Sequence, residues 1–349
     1  SFWILDDLTP LHQLHDELLG ADRYLLEPRS VVRTAPHITA SWGGSPGGKN
    51  YHVTSGQNAT FYLDEHDTGH TTKRVIDAGD DLERGVRISY LLDEDAVGEA
   101  SLTISDSDGN EIQSFPSAIP AEKKDRVGLY ITAAAGMNSF QWPMTYPDGV
   151  KMVDTEYHKR PVGPLAKPGT YRATLTVGEW SMTQSFELLK DPRISTSDAD
   201  LAEQFEFLIQ IRDKLSEIAT GVNSIRSLKR QLDDWTGRLA GDESAAPASA
   251  AATAVREQLV AIELQLVQPE LTSAGDSLNY REQLFEKLSD LPPVVSSADT
   301  RPTVQSYAVY DKLAGRADTQ LAALAAVVNG DLAALNAQLA TLGTPIIGP

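Results

Sequence analysis

From Leu201 to Leu239 the apolar residues mostly step by three or four: Leu201, Phe205, Leu208, Ile211, Leu215, Ile218, Val222, Ile225, Leu232, Trp235 and Leu239. That spacing keeps one face of an α-helix apolar. A helix of about forty residues spans about 60 Å at 1.5 Å per residue. Alone in water it would not hold against its ordering entropy, so the stripe has to be packed. The chain must therefore supply partners of comparable length. Val255, Leu259, Ile262 and Leu266 share one face of a second helix, stopped by Pro269. A short helix is expected around 279–290, with a break at Pro292-Pro293. The final helix carries Tyr307, Tyr310, Leu313, Leu321, Leu324, Val328, Leu332, Leu335, Leu339 and Leu342. The spacing predicts a long antiparallel three-to-four-helix bundle over 193–349, N-capped at Ser197 or Asp198. The stretch "GDESAAPASAAATA" (241–254) reads as a low-complexity linker within it.

Upstream the period changes to two. "VRISYLL" (86–92), "ASLTIS" (100–105), "NEIQSF" (110–115), "GMNSFQW" (136–142), "GTYRATLTV" (169–177) and "SMTQSFELL" (181–189) read as strands. Asp108-Gly109 predicts a tight hairpin, because both residues tolerate positive φ. Pro168-Gly169 opens a strand as a turn, and Asp191-Pro192 closes the region. Short strands at this spacing predict an Ig-like antiparallel β-sandwich over 86–192. Residues 36–85 read as irregular with some strand. The fold class is therefore expected to be α+β and multidomain.

The formal net charge is −19, and the basic residues cluster only in short groups such as Lys123-Lys124-Arg126 and Lys229-Arg230. Phosphate-backbone binding needs clustered cations, so neither nucleic acid nor an anionic membrane surface is an expected partner. With no cysteine, disulfides and thiolate metal sites are excluded. No apolar run reaches the length of about 18 residues that marks a spanning helix. The nearest, Leu321–Val328, is stopped by Asn329-Gly330-Asp331, and no transmembrane segment is expected.

Several motifs are near chemistry. "GGSPGGKN" (43–50) places Gly43, Gly48 and Lys49 as a phosphate loop would, but Asn50 stands where Ser or Thr would hold magnesium. The stretch "YHVTSGQNATFYL" (51–63) does not read as a helix, so a surface loop is the reading. "DEHDTGH" (64–70) sets His66 and His70 four apart beside Asp64, a candidate set for a divalent metal. Thr68-Gly69 makes the segment a turn, and a solvated loop is the alternative. His12 and His15 carry less. "SDSDGN" (105–110) departs from the Asp-box spacing of propellers, and a hairpin is sufficient. Trp142 sits in a strand and reads as core. Trp180, at a hairpin tip, and Trp42, in the Gly-rich loop, are candidates for stacking on a sugar. Asn58-Ala59-Thr60 is a glycosylation pattern if the source is eukaryotic. Carboxylate pairs are not diagnostic among 49 acidic residues, and no residue is assigned to catalysis.

"SFWILDDLTPL" (1–11) resembles the end of the last blade of secreted bacterial β-propeller proteins with BNR/sortilin (VPS10)-like repeats, often labelled glycosyl hydrolase or sialidase-like. "LLEPRSVVR" (25–33) resembles the connector that leads out of that blade. "GVRISYLL" onward to "LLKDPR" is similar to that family's Ig/fibronectin-like domain. "QFEFLIQIRDKLSEIATGVNSIRSLKRQL" and the segment from "LNYREQL" to "ADTQL" resemble its helical part. The resemblance implies that residues 1–35 are a propeller-exit strand and connector, with Phe2, Trp3 and Ile4 contacting a propeller outside this sequence. It implies an extracellular, periplasmic or cell-envelope location, and a non-catalytic region that docks the propeller and mediates assembly or attachment. Expected partners are the propeller, as the same precursor or a companion chain, and a second copy through the helices. No cofactor is expected. The alternatives are a glycan-binding accessory module using Trp180 and Trp42, and a metal-dependent hydrolase using His66, His70 and Asp64.

Overall fold

The computed structural model describes residues 7–34, 44–54, 57–76, 84–122, 126–155, 157–158, 161–238, 243–341 and 347–348. The chain is α+β and divides into two units. The first comprises Ser1–Pro147 and Leu165–Asp198, the second Asp148–Pro164 and Ala199–Pro349.

The first unit opens with two single-turn helices, α1 (Thr9–His12) and α2 (Asp16–Leu19), and then holds all the described strands. These are β1 (Arg23–Leu25), β2 (Val31–Arg33), β3 (Asn50–Thr54), β4 (Gln57–Glu65), β5 (Thr71–Val75), β6 (Val86–Leu92), β7 (Ala100–Ser105), β8 (Glu111–Pro116), β9 (Gly136–Trp142), β10 (Gly169–Val177) and β11 (Trp180–Lys190). They form three sheets, ordered β1-β6-β9, β2-β11-β10-β7-β8 and β3-β4-β5. Pairing is antiparallel except β2 beside β11, which is parallel, so the largest sheet is mixed. The connector expected over residues 1–35 thus supplies an edge strand to each of the first two sheets. The region expected to be irregular with some strand (36–85) contains the third sheet.

Alternation drives the packing. Every second residue of β7 and of β10 from Tyr171 is buried, as a sheet with one core face requires. Ile88, Tyr90, Phe140 and Trp142 from one sheet share a core with Leu102, Ile104, Phe115, Leu175 and Phe186 from another. Trp142 is fully buried, its ring 5.5 Å from Tyr171 and 5.9 Å from Phe186. The Tyr171 hydroxyl donates to the Lys167 carbonyl at 2.7 Å, tying the start of β10 to the turn before it.

The β7–β8 connection is longer than a two-residue hairpin. Ser105 pairs with Glu111, and Gly109 has φ +88°. The Asp106 carboxylate accepts the N–H groups of Asp108 and Asn110 at 3.0 and 2.8 Å and the Asn110 side-chain amide at 2.9 Å. Those donors outcompete the tight turn, and the bond from the Asn110 side chain holds the Asp106 pKa below the usual carboxylate value.

The second unit contains α3 (Asp198–Arg238), α4 (Ala246–Leu266), α5 (Leu284–Ser289), α6 (Leu291–Val295), α7 (Val304–Val327) and α8 (Ala333–Thr341), the last two joined by a π-turn over Val328–Leu332. Two expectations are corrected. The supposed linker 241–254 is helical from Ala246, because its alanines are the strongest helix formers and Pro247 occupies the first turn. Pro292-Pro293 does not break a helix but starts α6, where no donor N–H is needed.

Helix α4 runs antiparallel to α3, since Arg226 pairs with Glu263 and Asp233 with Arg256. Helix α7 runs parallel to α3, with Tyr307 bonded to Glu203 and Lys214 to Asp318. Gly221 admits this approach: a Cβ there would lie 2.6 Å from Leu321 Cδ2. One helical stretch among the described residues, Val304–Thr341, is long and apolar enough to cross a membrane, with a window of mean hydropathy 1.2. Leu324, Val327, Leu332, Leu335 and Leu339 are buried in the core of the unit, and Ala322, Ala325, Ala326, Ala333 and Ala337 are exposed. The exposed side owes its hydropathy to alanine.

Tyr171→Phe removes the hydrogen bond to the Lys167 carbonyl at nearly constant volume. It should destabilise the β unit by about 1 kcal/mol, read as a several-fold rise in native-state amide exchange in β10 and β11. Unchanged protection would assign the Tyr171–Lys167 bond no energetic role.

Candidate functional site

The residues singled out by sequence fall into three groups. Phe2, Trp3, Ile4 and Trp42 lie outside the described residues. Trp180 pairs with Val177 at the start of β11 and is half-buried against the β core rather than presented at an exposed tip. His66, His70 and Asp64 flank the β4–β5 turn, but their side chains separate. His66 Nε2 lies 2.9 Å from Thr72 Oγ1. His70 packs edge-on against Phe140, with ring centroids 5.3 Å apart. Asp64 accepts from Arg74 at 3.2 Å. Among the described residues no group of three or more potential ligands converges. The Gly-rich loop leads into β3, and Asn50 closes it by accepting from Ser45 N–H at 2.8 Å and donating to the carbonyls of Ser45 and Gly48.

A different constellation forms where the sequence gives no periodic signal. Residues 148–164 connect two strands of the β unit yet belong to the helical unit. The ends of this strap are pinned together. Gly149 N–H donates to the Pro161 carbonyl at 2.7 Å, and Gly163 N–H to the Asp148 carboxylate at 2.9 Å. Gly149 sits close to α3: a Cβ there would collide with Ser216 Oγ and crowd Pro161. Helix α3 then reads the strap backbone from one face. Ser216 Oγ accepts Val150 N–H at 3.1 Å, and Asn223 accepts Val153 N–H at 2.8 Å while donating to the Lys151 carbonyl at 3.0 Å. Arg226 donates to the carbonyls of Val153 and Asp154, and Arg230 pairs with the Asp154 carboxylate. Asp154 itself takes a left-handed φ of +54°, which few non-glycine residues adopt. Between these bonds Met152 is fully buried in the helical core.

The strap ends its run in a buried polar clasp. His158 and Glu286, with side chains 2% and 5% exposed, meet at 2.6 Å between Nε2 and Oε1. Glu286 also accepts the backbone N–H groups of Gln268 at 3.0 Å and Gln283 at 2.8 Å. His158 Nδ1 lies 2.8 Å from Thr155 Oγ1, which also accepts the His158 backbone N–H at 3.2 Å. Hydroxyl, imidazole and carboxylate stand in the order of a hydrolase triad. Their valences are spent on one another and on backbone donors, so the arrangement fastens chain to chain. Burial works against the Glu286 charge, but the bonds from His158, Gln268 and Gln283 outweigh it and hold the pKa below the usual value. A second buried carboxylate, Glu263 on α4, binds Arg226 at 2.9 Å and Lys229 at 2.7 Å. Arg226 therefore couples α4 to the strap through α3. Sequence reading missed His158 and Glu286 because they are 128 residues apart and neither belongs to a motif.

The helical unit also carries an open groove of about 540 Å³, lined by Phe205, Glu206, Ile209, Gln210, Asp213, Lys214, Glu217 and Tyr310. Lys214 is tied to Glu217 and, at 2.7 Å, to Asp318. No protein-family profile, curated protein or solved structure matches the chain.

Glu286→Gln removes the carboxylate charge that accepts from His158, Gln268 and Gln283 and should cost the helical unit about 2 kcal/mol. A carboxylate whose folded pKa is lowered stabilises the fold above its unfolded pKa and ceases to as pH falls through the folded value. The melting temperature of the helical unit should thus fall on acidification, and fall less steeply in Glu286→Gln. Parallel pH profiles would contradict this. Gly149→Ala, which crowds strap against helix, should lower the same transition at neutral pH in a calorimetric scan.

Proposed function

We propose that this chain is a non-catalytic structural and interaction region of a secreted β-propeller protein, an Ig-like sandwich followed by an antiparallel helical bundle. The sandwich part is supported by two sheets sharing one core, in which β10 lies between β11 and β7, and β6 beside β9. The bond from Tyr171 to Lys167 at the head of β10 is the arrangement of a tyrosine corner. The bundle part is supported by the core common to α3, α4, α7 and α8.

The observation that carries the docking role is at the N-terminal end of the described chain. Leu8, Leu11 and Leu14 are 47%, 52% and 42% exposed. They stand on a turn that is held in place. Gln13 donates to the Glu27 carbonyl and accepts its N–H, both at 2.8 Å, and Asp7 accepts Thr9 N–H at 3.0 Å. Leucines fixed in water three residues apart form an apolar surface that gains by being covered. They come directly after the segment carrying Phe2, Trp3 and Ile4, which supports a propeller as the partner that covers them. The buried polar groups fit a scaffold role, since Gln204, Asn138 and Arg33 donate to backbone carbonyls.

Protein purified from its native source should carry the propeller, as one longer chain or as a companion that co-elutes. A lone 37.8 kDa species would contradict the proposal. Replacing Leu8, Leu11 and Leu14 together by Ser should weaken propeller association at least tenfold, given about 1.5–3 kcal/mol for each leucine fully covered. Unaltered co-elution of that variant would remove the leucines from the contact.

A further inference from the structure

We propose that the groove between α3 and α7 docks a segment of a partner protein in which lysine or arginine flanks an apolar side chain. Its floor is apolar, with Phe205 and Ile209 one turn apart on α3 and Tyr310 entering from α7. Its rim is acidic, with Glu206, Asp213 and Glu217 lining it and Asp318, 56% exposed, beside it. The lining cation, Lys214, is already held by Glu217 and Asp318, and Arg212 holds Asp213 at 2.6 Å. Among the described residues, Glu206, Asp213, Glu217 and Asp318 outnumber Lys214 and Arg212 there. The Tyr310 phenol senses this: burial pushes its pKa up, Lys214 pulls it down, and Glu217, Asp318 and Asp311 push it further up.

The rim is also straight. Between Leu201 and Leu228 the exposed positions of α3 are Glu206, Gln210, Asp213, Glu217 and Thr220, spaced alternately by four and three. That is a single stripe along one helix, and the lining from Phe205 to Glu217 runs about 18 Å. A short segment laid along it would seat an apolar side chain on Ile209 and Tyr310 and bring flanking cations to the carboxylates. Apolar burial supplies the affinity and charge complementarity the orientation. An acidic partner would meet repulsion at Glu206, Asp213 and Glu217.

This inference gives the assembly role its surface and rests on that interaction reading. The test uses the full chain and a short dye-labelled amphipathic peptide of lysine and leucine, followed by fluorescence anisotropy. Any polycation is drawn to a chain of net charge −19, so position must be separated from charge. The triple variant Glu206→Lys, Asp213→Lys, Glu217→Lys is compared with Glu111→Lys, Glu179→Lys, Glu187→Lys, which changes the net charge equally on the β unit. The groove variant should weaken binding tenfold or more, and the control about twofold or less, as expected for loss of local charge complementarity. Ile209→Ser should weaken it several-fold at unchanged charge, with helical circular dichroism retained. Equal weakening by both triple variants, or an Ile209→Ser variant that binds as wild type, would overturn the proposal. If either occurs while the propeller still co-elutes with the native protein, the groove is refuted and the interaction reading stands.

Discussion

Helix α3 is the constraint on which the helical unit depends. Its 41 residues bury Leu201, Phe207, Ile211, Leu215, Ile218, Val222, Ile225, Leu228 and Leu232, and also Gln204, Ala219 and Gly221. That set is wider than a single stripe, so the helix needs cover on several sides at once. Helix α7 covers one side, close enough that a Cβ on Gly221 would lie 2.6 Å from Leu321 Cδ2. Helix α4 covers another through Glu263 and its two cations. The third cover is not a helix. It is the strap, whose backbone is bonded by Ser216, Asn223 and Arg226.

A strap of irregular chain is an economical cover for a helix but brings backbone groups that must be satisfied. The structure solves this with side chains of α3 that both donate and accept. Asn223 does so within one residue, bonding Val153 N–H and the Lys151 carbonyl. The clasp between His158 and Glu286 solves the same problem at the far end, in a site with almost no access to water. Breaking one partner leaves the other buried without it, which weakens the strap's attachment. Met152 adds apolar burial worth about 1.5–3 kcal/mol.

Periodicity made the long elements legible. The steps of three and four through Leu201 to Trp235 become α3, and the alternation in "ASLTIS" and "GTYRATLTV" becomes β7 and β10. Elements too short for a period were not legible: β1 and β2 are three residues each and owe their place to the longer strands beside them. Low complexity misled at 246–254, where alanine means helix as readily as linker. The strap was illegible for a physical reason. Its residues obey the surface of α3 rather than any repeat of their own, and prolines at 147, 161 and 164 suggest only loop. The His66–His70 spacing had the reverse fault. The ligand types were right, but the turn sends one ring to Thr72 and the other to Phe140.

The central claim is that the strap is a structural member of the helical unit. The most direct measurement replaces residues 150–158 in the full chain by a glycine-serine segment of equal length and tracks amide exchange in α3. A strap that completes the core predicts a loss of protection from Arg212 to Arg230 with β10 and β11 unchanged. Protection in α3 equal to that of the unaltered chain would mean the helices close their core without the strap, and would contradict the claim.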